Sequence, residues 1–491
     1  MNMLGSFFCL VICALLLAGF PTPSLAATIT VNTLDDELNS DGDCSLREAV
    51  QSANTASSVD ACVAGSAIGN EIWFSSGLNG EIPISSMISI TRGVAIQGSG
   101  RITLRRSGSN VHNMLLIYMV QPSDGVTLSG LTMIDGDGAD TASPGSAVLL
   151  SRAGIVQLSR MVFKNNKRSA IASYPGILPN QQLEFVRVVD CLFENNRGGN
   201  LPEGEFGGGA INLQLDMEQG ITIINSVFRN NGHGNSGHGG AVHLANLPGI
   251  HVEDSLFIDN TAGIRRGGAL YVHGNISGYG MRVLKSTFVG NRAGGGGGDI
   301  YILDAVNPVQ IFNSTFHDTN NAIVLNDSMA DIQLSTFFGN GSSAGFIRTI
   351  DDATALLTRN ALFDSPARPL CTSQGGGTAI SQGNNRFQQS DASCGWLATD
   401  QGIVDPRLLP LGEYGGRVPV MLPRIDSPLI DVTNAPCTQG AITTDTDARN
   451  LPRPVSSTGS GTPRCDIGAV EWNPDHDLIF SDDIFADGFE E

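Results

Sequence analysis

Between residues 140 and 345 short apolar runs alternate with glycine- and asparagine-rich breaks, and the runs repeat one another. VVDCLFENN (188–196), IINSVFRNN (223–231), HVEDSLFIDN (251–260), VLKSTFVGN (283–291), IFNSTFHDT (311–319) and IQLSTFFGN (332–340) share one register. Phe193, Phe228, Phe257, Phe288, Phe316 and Phe337 fall in one column, which Phe163 and Phe363 extend at its ends. Three residues after the phenylalanine stands Asn166, Asn196, Asn231, Asn260, Asn291 or Asn340. A second motif follows the central copies: GGGAINL (207–213), GGAVHL (239–244), GGALYV (267–272) and GGDIYI (297–302), with weaker forms SAVLL (146–150) and NNAIVL (320–325).

The period is roughly 30 residues, and each unit holds two or three strand-like runs. A run of four to six residues cannot bury its own apolar face. Stacking equivalent runs pairs every backbone group and builds a continuous internal file, here of phenylalanine. The pattern therefore predicts an all-β chain, a right-handed parallel β-helix (solenoid). Asparagine at the turns can bond from coil to coil and tolerates the left-handed conformation, as glycine does at the other turn. A β-sandwich with regular turns gives no reason for the same Phe and Asn to recur. Cys191 stands where Ser226, Ser255, Ser286 and Ser314 stand, so it reads as a small buried residue and not a nucleophile.

At the N-terminal end ATITV is a strand by alternation, and SLREAVQSAN (45–54) is a helix. Ser45 and Glu48 form a capping box, and Leu46, Ala49, Val50 and Ala53 share one face. This short N-terminal capping helix would cover the exposed core of the first coil. Capping and surface charge account for Glu48 and Arg47 without catalysis.

Phe7 to Phe20 is a nearly continuous apolar run, short for a membrane span, and Ser24-Leu25-Ala26 offers small residues at a cleavage position. Residues 1–26 thus read as a signal peptide, although the start lacks Lys or Arg. An exported chain permits disulfides. Of nine cysteines, Cys9 and Cys13 lie in this leader, and six others form neighbouring pairs. These pairs, Cys44–Cys62, Cys371–Cys394 and Cys437–Cys465, are expected to be disulfide-bonded; no CxxC spacing points to a metal. The formal charge of −20 disfavours nucleic acid and anionic lipid. It is compatible with divalent cations, cationic surfaces and neutral glycans. No later segment is long and apolar enough to be a transmembrane helix.

The alternating FxxN and GGA motifs resemble the repeats of polymorphic outer-membrane proteins, which are bacterial surface β-helices. Residues 28–54, with Cys44 to Ala49 at their heart, resemble the CSLREA domain, which implies a secreted or surface β-helix downstream. DSPLIDV, TDARNLPRP and CDIGAVE (within 426–471) resemble the choice-of-anchor Q module, which implies display or secretion directed by a signal beyond it. The expected organisation is a signal peptide (1–26), a CSLREA-like cap (27–70), β-helix repeats (71–365), a C-terminal module ending the solenoid (366–472) and an acidic tail (473–491), either a sorting address or a disordered segment. Too little chain follows residue 365 for an autotransporter barrel.

For chemistry, the aligned GGA motifs put Asn212, His243, Tyr271 and Tyr301 in one column, with His273 on the same face. Alternation turns that column outward, because Ile211, Val242, Leu270 and Ile300 point in. The neighbouring turns carry His233, His238, Arg265 and Arg266. This exposed face could bind an extracellular polysaccharide or surface glycan. In an enzyme, His243 or Tyr271 would be the base of a polysaccharide lyase, with Arg265 or Arg266 clamping a uronate carboxylate. No aligned carboxylate pair supports a hydrolase. The expectation is an adhesin-like binding protein, monomeric and without catalysis, the alternative an extracellular lyase or hydrolase. No cofactor is required. Calcium enters only through GGGGGDIYI (294–302), DGDGAD (135–140) and DGD (41–43), strings that lack tandem copies or EF-hand spacing and read more simply as turns.

Overall fold

The computed structural model describes residues 26–480 apart from 122, 139–144, 174–182, 199–206, 215–216, 234–236, 275, 277–279, 320, 340–344, 365–367, 389–390, 434–436, 438–444 and 459–461. The leader up to residue 25, the tail from 481, Asn340 and the end of DGDGAD lie outside the described residues.

The chain is a parallel β-helix. Every strand of its main sheet system pairs in parallel with the equivalent strand one coil away. A central coil has three strands, exemplified by Gly249–Glu253, Leu256–Ile258 and Leu270–His273. The ladder runs further than the repeats alone suggested. It opens with Ala27–Val31, which pairs with Asn70–Phe74, and closes with Gln401–Ile403 against Arg386–Gln388.

Successive rings from Phe163 through Phe337 stack nearly parallel, with centroids 4.6 to 5.0 Å apart, and all are fully buried. One end of the file differs from expectation. Leu362, not Phe363, continues it in register with Phe337. Phe363 lies one position on and packs with Ala361, Leu429 and Ile467 in a separate cluster.

The asparagine column is a second internal ladder. The Nδ2 of Asn166 donates to Asn196 Oδ1 at 2.7 Å, and the pattern continues through Asn231, Asn260 and Asn291. Each Nδ2 also donates to a main-chain carbonyl a coil back, that of Met133 for Asn166 and of a phenylalanine for the others, for example Asn231 to Phe193 O at 2.9 Å. Four bonds per amide from Asn196 to Asn291, and three at Asn166, satisfy both donors and the acceptor, as burial requires. The left-handed turn conformation, which the sequence assigned to these same residues, belongs instead to the preceding position: Asn165 (φ 55°), Asn195 (φ 56°) and Asn230 (φ 51°). A third file joins the backbone N–H of each serine to the hydroxyl of the next, from Cys191 through Ser335. Burial pushes the Cys191 thiol up to about 12, so it is inert as a nucleophile.

The amide ladder stops where Thr319 replaces asparagine. Asp299, in the position that alanine occupies in neighbouring coils, receives the Asn291 amide at 2.8 Å. Its carboxyl is fully buried and desolvation pushes it up to about 8.

The helix Leu46–Thr55 carries the expected capping box, and its apolar face joins the solenoid core. Arg47 pairs with Asp36 at 2.9 Å and ties the helix to the first coil. All three expected disulfides are present, with Cα–Cα distances of 4.9, 5.1 and 5.3 Å. No helix among the described residues is long and apolar enough to cross a membrane.

The C-terminal module does not simply end the solenoid. It doubles back along the flank. Arg417 and Asn450 meet Asp254, Lys285 bonds Asn450, Thr287 bonds Pro419 O, Asn313 bonds Thr446 O and Arg453, and Thr336 accepts from Ala469 N. Inside the module Arg449 is wholly buried between Asp447 and Asp477, and Arg453 against Glu471.

Two stability predictions follow from these files. Phe257→Ala removes a ring flanked on both sides and should cost about 3–5 kcal/mol, read from denaturant unfolding. Between the ordinary carboxyl value of 3.8 and about 8, the folded chain holds a proton on Asp299 that the unfolded chain has lost. Stability from this group is therefore complete below that window and falls as pH rises through it. Asp299→Asn keeps the acceptor and cannot ionise. Its Tm should exceed that of the native chain by a margin that grows from about pH 5 to about pH 9; a pH-independent difference would mean the carboxyl is already ionised.

Candidate functional site

The predicted column is real in register: Asn212 pairs with His243, His243 with Tyr271 and Tyr271 with Tyr301. Its members face away from the core file of Ile211, Val242, Leu270 and Ile300, yet they do not face solvent. Asn212, His243, Tyr271 and Tyr301 are 1, 1, 5 and 1% exposed. The reason is the turns that precede each strand, which fold back over the face. His238 stacks on the Tyr271 ring at 4.3 Å, and the Arg266 guanidinium lies 4.9 Å above the Tyr301 ring. Tyr271, Tyr301 and Val324 form a second apolar cluster with Leu303 and Ile350 at its edge. His273 is half-buried, with its ring 5.3 Å from His243. Arg265 and Arg266 are half-buried in the covering turn. Desolvation pushes the Tyr271 phenol above its ordinary range, the opposite of what a base requires. The side chain of His233 lies outside the described residues.

Two open surfaces take the place of that column. The first is a groove of about 720 Å³ beside the phenylalanine strands, lined among the described residues by Asn165, Lys167, Asn195, Arg197, Asn230, Gly232 and Thr261. Because the buried ladder uses the second asparagine of each NN pair, the first is turned to solvent. Asn165, Asn195 and Asn230 are exposed at successive coils. Lys167 is held by Asp137 at 2.9 Å. The sequence carries the signal as the doubled asparagines of FKNN, FENN and FRNN, of which the FxxN repeat marks only the second.

The second surface is a shallower groove of about 240 Å³ on the outer face of the strands around Gly249–Glu253. Gly249 and Gly280 line it, and Gly220 beside it permits close coil-on-coil approach, since a Cβ there would meet the Gly249 carbonyl at 1.9 Å. Its polar row is Arg187, Thr222, His251 and Arg282, each in register with the next. His251 Nε2 lies 3.0 Å from Glu253 Oε2, and Lys285 lies 3.7 Å from the other carboxylate oxygen. The hydrogen bond from His251 leads the interactions that hold Glu253 below the ordinary carboxylate range. An ionised Glu253 therefore orients the imidazole.

For metals, Asp35, Glu37 and Asp43 bring carboxylates within 4.8 Å of one another near the cap. Desolvation, and then mutual repulsion with neighbouring acids, pushes Glu37 and Asp43 upward. Asp299, the acid of the GGGGGDIYI string, belongs to the amide ladder instead. Cys437 and Cys465 also approach Glu471 but are consumed by their disulfide.

No family model, curated protein or solved structure matches this chain.

Accessibility separates the histidines. Diethyl pyrocarbonate at neutral pH, followed by mass mapping, should modify His251 well before His243. Equal rates would show that the face carrying His243 stands open in solution.

Proposed function

We propose that this is an exported protein, secreted or held on the outer cell surface, that binds an extended extracellular glycan along its solenoid without cleaving it. The row of exposed Asn165, Asn195 and Asn230 at single-coil spacing, flanked by Lys167 and Arg197, carries this reading. A carboxamide both donates and accepts, as sugar hydroxyls do. A wall that repeats coil by coil suits a ligand that repeats along its own length. Export and display are supported by the leader-like residues 1–26 and by the resemblance of residues 28–54 and 426–471 to the CSLREA and choice-of-anchor Q modules. The chain acts as a monomer and needs no cofactor; a calcium ion, where one binds, is held by Asp35, Glu37 and Asp43.

The test is binding to an immobilised glycan panel. Asn195→Gly with Asn230→Gly removes two amides while glycine keeps the left-handed turn free of strain. This double variant should lose at least about tenfold in affinity, about 1.4 kcal/mol, with Tm little changed. Full retention of binding removes the groove from the proposal.

A second reading is favoured by one observation, the His251–Glu253 pair one coil from Arg282. In a uronate polymer, Arg282 would neutralise the carboxylate while His251 takes the C5 proton. The electron pair forms the C4–C5 double bond and expels the 4-linked oxygen, which is protonated by water. Rising ultraviolet absorbance of an unsaturated product, abolished by His251→Ala and unaffected by His243→Ala, would establish a lyase. Binding without such a product supports the first reading.

A further inference from the structure

We propose that Arg359 anchors a small inorganic anion, of the class of chloride, between the solenoid flank and the C-terminal module. Arg359 occupies a left-handed turn (φ 52°) on that flank, and its carbonyl accepts from Gly468 N of the module at 3.0 Å. Its side chain is fully buried, with the residue at 1% exposure. Its Nε and Nη1 have no hydrogen-bond partner among the described residues. The neighbouring charge that acts on it is of like sign, Arg453.

The other buried arginines of the module show how this interior ordinarily treats a guanidinium. Arg449 has two carboxylates, and Arg453 has Glu471, Asn313 and three main-chain carbonyls. The same flank position in earlier coils shows what is missing. Asp254, Lys285 and Asn313 each bond a module side chain or carbonyl, and Leu334 packs on the Cys437–Cys465 disulfide. At Arg359 the described residues of the module supply only a main-chain N–H. A guanidinium does not escape burial by losing its proton, and an uncompensated interior charge is costly. A compact monovalent anion supplies the missing counter-charge and accepts the idle N–H groups. Near-complete burial excludes a polyanion or a bulky organic acid.

The experiment is the Tm of the full chain in sodium chloride against sodium gluconate at equal ionic strength. Chloride should raise Tm saturably, by about 1–3 °C, and Arg359→Met should abolish the difference. Equal Tm in both salts for the native chain, or a chloride effect that persists in Arg359→Met, overturns the proposal. Should Arg359→Met fail to fold, bromide-soaked crystals of the native protein decide it. An anomalous peak against the Arg359 guanidinium supports the site, and its absence there overturns it.

Discussion

Coil-on-coil hydrogen bonding between equivalent strands is the constraint from which the rest of this molecule follows. A three-strand coil with runs of three to five residues buries nothing by itself, so its apolar side chains are satisfied only by the same side chains one coil away. That requirement makes like stack on like. It produces a phenylalanine file where dispersion and ring stacking are continuous, and an amide file where every donor and acceptor is used. It also explains why exceptions are local. Thr319 interrupts the amides, and Asp299 enters from an alanine position of Asn291's own coil to receive the orphaned donor.

Periodic features were legible in the sequence because translation along the axis preserves residue type. The Phe column, the small-residue role of Cys191 and the outward register of Asn212, His243, Tyr271 and Tyr301 needed only alignment and alternation. The capping box and the three disulfides were legible for a different reason, since their partners are close along the chain. What escaped depends on unlike parts meeting. The burial of Tyr271 and Tyr301 comes from turns of variable length folding over a strand face, and alternation says nothing about a turn's path. The displacement of Phe363 from its file comes from Leu429 and Ile467, distant in sequence, offering it another apolar partner. The splitting of each NN pair into a buried ladder amide and an exposed turn amide follows from backbone conformation at two adjacent residues, which composition alone does not distinguish.

The relocation of the candidate surface alters the chemistry available. The covered column joins a desolvated phenol, an aromatic pair and a cation above a ring, which together stabilise a closed turn. The open row of exposed amides offers reversible hydrogen bonds to hydroxyls, and the left-handed turn fixes the backbone that carries each amide. The His251 row differs again: it has an oriented imidazole and flanking cations but a shallow floor. Retention and turnover would therefore draw on different faces of one rod, and the two faces can be altered separately.

The C-terminal module, laid across the flank from Asp254 to Arg359, determines how tension would travel through the rod. Solenoid ends ordinarily fray one unit at a time. Here load applied to the chain beyond residue 480 enters sideways, through several side-chain and main-chain bonds spread over successive coils. The flank contacts then share that load in shear instead of passing it to the terminal coil alone.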